Sequence, residues 1–167
     1  MKKATTKTYQ ELAMRTCLPS AKNWGYAIYG LDSEYHELNA KISGAQAKRI
    51  RDGEDFNNEK AIKGIADEVG DCYWFIALIC ELRGLRFKDI FRLSPLRFAF
   101  RFFKASFRDM GILRAIINAF MIRRWIVYLR EFCKVNNFDI LDILQRNIDK
   151  LASRAERGVL KGSGDER

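Results

Sequence analysis

The sequence predicts an all-α fold, a bundle of about four core helices, and three observations lead to this prediction. Apolar residues recur at three- and four-residue spacing through most of the 167 residues. No stretch alternates apolar and polar residues as a strand does. Only two prolines interrupt the chain, whose length suits one domain with its own core. We therefore expect a single helical domain over residues 1–167.

The first predicted helix covers residues 9–17, and Pro19 ends it because proline cannot continue a helix. The second predicted helix runs from about residue 24 to residue 42. Its apolar side chains share one helix face, at Ile28, Leu31, Tyr35, Leu38 and Ile42. Residues 44–58 are polar and are predicted to form a loop.

A third helix is predicted from residue 59 to residue 83, where Gly84 provides a C-terminal stop. An apolar face runs the length of this segment, at Ile62, Ile65, Ala66, Val69, Tyr73, Ile76 and Cys80. This spacing of apolar residues is typical of a helix that packs one face on a core.

The C-terminal part of the chain is also predicted to be helical. Residues 123–135 form one helix, and Asn136 with Asn137 makes a turn. Residues 139–156 then form an amphipathic helix. The tail over 158–167 holds three glycines and is expected to lack regular structure.

The four cysteines form no C-x-x-C pair, and the chain has a single histidine. A zinc site is therefore not expected, and the cysteines are predicted to be reduced, mostly buried thiols. The apolar runs are too short to span a bilayer, and no apolar signal core follows the basic N-terminus. These features predict a soluble, intracellular protein.

Positive charge is concentrated in one part of the chain. The formal net charge is +9, and residues 83–134 contain 13 Lys and Arg against three acids. Pro95 and Gly111 are expected to break this part into helices. An inserted basic segment, about residues 85–125, interleaves cations with phenylalanines: Arg92, Arg97, Arg101, Lys104 and Arg108 with Phe91, Phe98, Phe100, Phe102, Phe103 and Phe107.

Three interpretations of the inserted basic segment remain open. Arginines among aromatic residues bind nucleic acid, and a basic amphipathic helix can lie on an anionic membrane surface. The third interpretation is a helical hairpin that packs its phenylalanines on the core or on another subunit. We favour the hairpin, since a subunit contact accounts for the phenylalanines without a second ligand.

Two pairs of acids stand three residues apart on predicted helices, Glu34 with Glu37 and Glu68 with Asp71. This spacing places both carboxylates of a pair on one helix face, an arrangement that is also common on solvated surfaces. Glu68 and Asp71, however, lie at the edge of an apolar face, where unpaired carboxylates are costly unless a cation neutralises them. Four oxygen ligands from antiparallel helices suit Mg²⁺ or Mn²⁺.

The acidic pairs belong to a longer series of short motifs in a fixed order. The series reads Tyr9-Gln-Glu-Leu-Ala-Met-Arg-Thr16, Gly30-Leu-Asp-Ser-Glu-Tyr-His-Glu37, Asp67-Glu-Val-Gly-Asp71 and Asn147-Ile-Asp-Lys-Leu-Ala-Ser-Arg154. It resembles the signature of MazG-like nucleoside triphosphate pyrophosphohydrolases, which carry E-x-x-E on one helix and E-x-x-D on the next. The resemblance covers about residues 9–83 and 126–167, and its C-terminal part is similar to phage and bacterial members.

The resemblance implies two sets of site residues. The metal-binding and catalytic set for Mg²⁺, with Mn²⁺ as an alternative, is Glu34, Glu37, Glu68 and Asp71. The substrate-binding set is Asn147, Lys150, Arg154, Lys161 and Arg167. By spacing alone, the basic side chains of the last helix form either a phosphate-binding face or a solvated exterior. The tail after residue 160 is either a lid over a triphosphate or a frayed terminus.

The chain departs from the family pattern at Ile65, where many members have a lysine. Lys60 and Lys63 are the candidates to supply that charge from neighbouring positions. Two aromatic residues, Trp24 and Tyr26, are either core residues or platforms on which a base stacks.

The function implied by the resemblance is Mg²⁺-dependent hydrolysis of a nucleoside triphosphate to the monophosphate and pyrophosphate. Family members assemble as dimers or tetramers, and the expected location is the cytoplasm of a bacterial or phage-infected cell. Two other classes of function stay open. One is a nucleic-acid or membrane-surface module that uses residues 85–125, and the other is a catalytically silent helical assembly protein.

Overall fold

A computed structural model describes residues 3–52 and 59–160, and these two stretches contain helices and no strand. The α-helices are α1 (Tyr9–Arg15), α2 (Trp24–Asp52), α3 (Glu59–Leu82), α4 (Asp89–Arg92), α5 (Pro95–Met110), α6 (Ile112–Val135) and α7 (Ile140–Glu156). A single 3₁₀ turn, Pro19–Ala21, separates α1 from α2. The all-α prediction is confirmed.

Helix α3 is the centre of the bundle, because its residues from Ile65 to Cys80 are buried on nearly every side. Helix α2 packs against it in the antiparallel sense, since Gly30 lies at Phe75 and Lys41 contacts Glu68. Helices α1 and α7 also pack on α3, and α7 does so in the parallel sense. The Tyr9 hydroxyl of α1 lies 3.4 Å from the Gly70 carbonyl oxygen. From α7, Arg146 pairs with Asp67 and Lys150 pairs with Asp71.

Helix α2 is longer than the sequence predicts. It continues through Gly44 to Asp52, so the loop prediction over 44–58 is wrong for residues 44–52, and residues 53–58 lie outside the described part of the chain. A single glycine costs a helix only about 1 kcal/mol. The residues after Gly44 are mostly strong helix formers (Ala45, Gln46, Ala47, Lys48, Arg49), which is sufficient to continue the helix.

Helix α6 also begins earlier than predicted, at Ile112 rather than at residue 123. Its first turns carry exposed apolar residues, which hide the usual alternation between an apolar and a polar face. The two predicted breaks are confirmed. Pro95 occupies the first turn of α5 after the Ser94 cap, and Gly111, at φ 78°, separates α5 from α6.

The remaining local predictions agree closely with the structure. Helix α1 ends two residues earlier than predicted, and Asn137 takes a positive φ of 55° in the turn before α7. Asp139 caps α7 by accepting a hydrogen bond from the Leu141 amide. Gly84 ends α3 with a positive φ of 60°. All four cysteines are buried and free, as predicted.

The inserted basic segment forms a helical hairpin of α5 and α6, and this part of the prediction is confirmed. Phe98 and Phe102 are buried, and the Phe102 ring stacks on Trp24 with 5.8 Å between ring centroids. Tyr128 of α6 donates a hydrogen bond of 3.0 Å to Asn39 of α2. Within the described stretches, no helix is both long enough and apolar enough to cross a lipid bilayer.

Replacing Gly30 by alanine is expected to destabilise the fold by about 1–3 kcal/mol, because a Cβ there overlaps the edge of the buried Phe75 ring. Urea denaturation followed by circular dichroism measures the change. Gly44→Ala on the same helix is the control. A Cβ at Gly44 meets nothing within 4 Å, so this substitution should stabilise by about 0.5–1 kcal/mol. Equal effects at the two positions would contradict the close α2–α3 contact.

Candidate metal centre

Three carboxylates converge where α2 crosses α3. One oxygen each from Glu34, Glu37 and Glu68 lies within 4.8 Å of the others. Glu34 and Glu37 come from one face of α2, as their spacing predicts, and Glu68 comes from the facing side of α3. Glu37 is exposed, Glu34 is half-buried and Glu68 is only 2% exposed. The cluster therefore runs from solvent into the protein interior.

The buried carboxylate of Glu68 is incompletely satisfied. Lys41 of α2 forms an ion pair with its Oε1 atom. Its other oxygen, Oε2, is buried, and while the neighbouring carboxylates are ionised no described residue donates a hydrogen bond to it. Because a buried charged oxygen without a partner is costly, the site has a place for one more cation or hydrogen-bond donor.

The surroundings of Glu34 shift its pKa strongly. Burial, followed by the nearby charges of Asp71, Glu37 and Glu68, raises the pKa of Glu34 to about 9. Without a cation, the cluster thus keeps a proton on Glu34 at neutral pH, and this carboxyl group shares a hydrogen bond with the Glu68 carboxylate. A divalent cation at the same place favours the ionised form of all three carboxylates.

Asp71 lies beside the cluster but is held by groups from α7. Its two oxygens accept hydrogen bonds from Asn147 Nδ2 at 2.7 Å and from Lys150 Nζ at 2.5 Å. Tyr9 donates to Asn147 Oδ1 at 2.7 Å, and burial raises the pKa of Tyr9, so the hydroxyl keeps its proton. Because Asn147 accepts from Tyr9 through its carbonyl oxygen, its NH₂ group necessarily faces Asp71.

A pocket opens in front of these acids. It encloses about 170 Å³, and Glu34, Glu37, Glu68 and Asp71 all line it. Its other walls include the aromatic rings of Tyr26, Trp74 and Phe75 and the Arg154 side chain. This volume is below the roughly 300–1,000 Å³ of common small-molecule sites, so a ligand as large as a nucleotide has to extend beyond the enclosed part.

The structure separates the predicted substrate-binding residues. Arg154 lines the pocket, and Lys150 reaches it indirectly through its ion pair with Asp71. Asn147 is 3% exposed and lies behind Asp71, so it positions that carboxylate and has no face open to a ligand. Lys161 and Arg167 lie outside the described residues.

Lys41 is the site residue that sequence reasoning missed. It stands four residues after Glu37 and seven after Glu34, a spacing that places all three on one face of a helix. Ile65, the position at which many family members have lysine, is buried at 2% exposure and faces the core. The ion pair to Glu68 comes from Lys41 of α2.

The two candidate base-stacking residues have different surroundings. Trp24 packs between the Phe102 ring and the Arg83 guanidinium, whose carbon is 4.4 Å from the ring centroid. Tyr26 is 47% exposed, lines the pocket and contacts Phe75. Only Tyr26 of these two presents an open ring beside the acids.

Comparison with known proteins supplies no assignment for this chain. No protein-family model, no curated protein and no solved structure matches it. The resemblance to MazG-like enzymes stays a prediction.

In the absence of metal, the stability of the protein is expected to fall as the pH rises from about 5 to 9. The folded state holds the proton of Glu34 up to about pH 9, whereas the unfolded chain releases it near 4.5. The stabilisation is therefore complete below pH 4.5 and is lost progressively up to pH 9. Glu34→Gln should remove this dependence and stabilise the metal-free protein at pH 8 by on the order of 2 kcal/mol, less than the full shift implies because Glu34 is only half-buried.

Urea denaturation in EDTA across this pH range measures the effect. Glu131→Gln, at an exposed position of α6 far along the chain from the cluster, is the control and should keep the pH dependence of the wild type. A Glu34→Gln protein that is as pH-dependent as the wild type would show that Glu34 is not the group responsible.

Proposed function

We propose that this protein is a Mg²⁺-dependent nucleoside triphosphate pyrophosphohydrolase, with Mn²⁺ as an alternative metal. One observation supports the proposal most directly. The buried Glu68 carboxylate, one of whose oxygens has no donor when its neighbours are ionised, belongs to a cluster of three carboxylates that lines an open pocket. Such an arrangement suits a hard divalent cation and the phosphate oxygens that bind to it.

The residues present fit the proposed metal. Glu34, Glu37 and Glu68 would hold it, and Asp71 lies close enough to line the same pocket. When bound there, a divalent cation screens phosphate charge and lowers the pKa of a coordinated water. Three carboxylates carry one more negative charge than a divalent cation neutralises. Lys41, which pairs with Glu68, offsets this excess charge.

The other groups of the pocket suit a polyphosphate substrate. Arg154 provides a guanidinium that binds phosphate oxygens and stabilises the charge of departing pyrophosphate. Glu37 is the exposed member of the cluster, and in the proposed reaction it accepts the proton of the attacking water. Tyr26 offers an open ring on which the base can stack.

Asp71 has a positioning role in this proposal. Asn147 and Lys150 hold both of its oxygens, and Tyr9 fixes the orientation of the Asn147 amide. Its negative charge, next to Glu34, strengthens the preference of the cluster for a cation. The substrate-binding helix α7 is thereby linked to the metal-binding helix α3.

Glu37→Gln is expected to lower the rate of pyrophosphate release from a nucleoside triphosphate by about 10²–10⁴-fold, because it removes a metal ligand and the proton acceptor. The assay measures pyrophosphate and monophosphate from a panel of NTPs and dNTPs with Mg²⁺, with Mn²⁺ and with EDTA. The same substitution should abolish the rise in melting temperature that Mg²⁺ produces.

Asp32→Asn is the matched control for this experiment. Asp32 lies on the same helix two residues before Glu34, and its half-exposed carboxylate pairs with His36 outside the cluster. This variant should keep full activity and full Mg²⁺ stabilisation. Absence of pyrophosphate release by the folded wild-type protein, with either metal and every nucleotide, would sink the proposed activity.

Arg154→Gln is expected to weaken the proposed enzyme through substrate binding. Loss of a charge-assisted phosphate contact should raise KM about 10-fold or more, with a smaller effect on kcat. Arg157→Gln, three residues later on the exposed side of the helix end, is the control and should leave both constants unchanged. Similar kinetics for the two variants would remove Arg154 from the substrate site.

A further inference from the structure

An exposed apolar face covers the first three turns of α6. Six of the ten residues from 112 to 121 are large, apolar and between 38% and 71% exposed: Ile112, Leu113, Ile116, Ile117, Phe120 and Met121. The side of α6 that packs on the protein is formed instead by Ala115, Ala119 and Ile122. A soluble protein rarely leaves so continuous an apolar surface uncovered without a partner.

Cations are concentrated in the hairpin that carries this apolar face. Residues 95–125 contain seven Lys and Arg and one acid, Asp109, and the Asp109 carboxylate pairs with Arg83 at 2.8 Å. Arg123 and Arg124 are exposed on the turn that follows the apolar residues. The hairpin thus presents an apolar strip with a strongly positive border.

The neighbouring helix α5 continues the same pattern. Its exposed side alternates cations with Leu96, Phe100 and Phe107. The Lys104 ammonium lies 4.8 Å from the centre of the Phe100 ring, and the Arg108 guanidinium lies 5.9 Å from that of Phe107. Long cationic side chains can follow an apolar surface while their charged ends reach polar surroundings.

We propose that the hairpin of α5 and α6 docks on an anionic lipid surface. In this arrangement the apolar strip of α6 lies in the plane of the bilayer surface at the boundary between headgroups and acyl chains. The surrounding arginines and lysines contact lipid phosphates. An anionic bilayer is the partner that offers both an apolar layer and a dense negative surface at the depths that this hairpin requires.

The charge and shape of the face favour lipid over two other partners. A symmetric contact with a second copy would place this positive border against itself, and the single acid of the segment is already paired with Arg83. Nucleic acid would match the charge, but five of the six residues of the strip are aliphatic and offer no ring on which a base can stack.

The proposal is tested by sedimentation of the full-length protein with vesicles of phosphatidylcholine alone or mixed with phosphatidylglycerol. Binding is expected with the mixed vesicles and not with phosphatidylcholine alone. Arg123→Gln with Arg124→Gln should lower the partition coefficient about 30-fold, since each cation near an anionic surface contributes about a factor of five. Ile117→Glu should lower it at least about 10-fold, because it places a charge in the apolar layer.

Each variant has a matched control elsewhere on the protein. Lys48→Gln with Arg49→Gln removes two exposed cations of α2, and Val135→Glu charges an apolar residue that is 75% exposed at the other end of α6. Both controls should bind the mixed vesicles as the wild type does. Circular dichroism and urea denaturation identify any variant that fails to fold, and the arginine pair, being fully on the surface, tests the proposal independently of Ile117.

Several outcomes would overturn the proposal. The first two are equal binding to both kinds of vesicle and no binding to either. A third is a loss of vesicle binding in the control variants as large as that in the hairpin variants. A fourth is a dimer in solution that Ile117→Glu dissociates, with no protein bound to vesicles. The face would be assigned to nucleic acid if an oligonucleotide competes with the mixed vesicles for the protein. Its binding would then be sensitive to salt and would be retained by the Ile117→Glu variant. None of these measurements depends on nucleotide hydrolysis.

Discussion

The buried carboxylate of Glu68 constrains the rest of the structure more than any other group. It sits on a helix that is otherwise apolar on nearly every side, and it is 2% exposed. An uncompensated charge there would cost several kcal/mol, and α2 packs in a register that brings Lys41 to it. That register also brings Glu34 and Glu37 to the same place. The fold and the carboxylate cluster therefore have a common cause.

The close contact between α2 and α3 depends on a missing side chain. Gly30 allows the edge of the Phe75 ring to occupy the space that a Cβ would fill. Because Phe75 is also a wall of the pocket, the same contact sets the separation of the helices and the shape of the site. Next to this contact, the chain of hydrogen bonds from Tyr9 through Asn147 to Asp71 joins α1 and α7 to the same few turns of α3.

Helix periodicity is sufficient to predict which carboxylates share a face. It identifies Glu34 with Glu37 and Glu68 with Asp71 without any structure. It cannot predict how far α3 is rotated toward each neighbour, and that rotation turns Glu68 toward α2 and Asp71 toward α7. The burial of Asn147 was not predicted for a similar reason. A sequence motif does not show whether a residue faces a ligand or a neighbouring helix.

Predictions of helix bounds from local sequence preferences were wrong where tertiary packing or exposure altered the pattern of apolar and polar residues. The extension of α2 past Gly44 follows from strong helix formers whose polarity suggested a loop. The early start of α6 was hidden because its exposed residues are apolar, so no contrast between its two faces marks the helix. The error at α6 and the proposed lipid-binding face thus have one physical source, a helix that is apolar on the side directed away from the core.

The distribution of charge bears on how an acidic pocket could accept an anionic substrate. Residues 83–134 account for the positive net charge of the chain, while the four pocket acids and the buried Glu68 oxygen lie on α2 and α3. A polyphosphate approaching those acids alone would be repelled. Under the proposed function, binding of the cation therefore has to precede or accompany binding of the nucleotide, and Arg154 at the pocket wall supplies the remaining attraction. Affinity for a nucleotide should accordingly depend on Mg²⁺ even in a variant too slow to hydrolyse it.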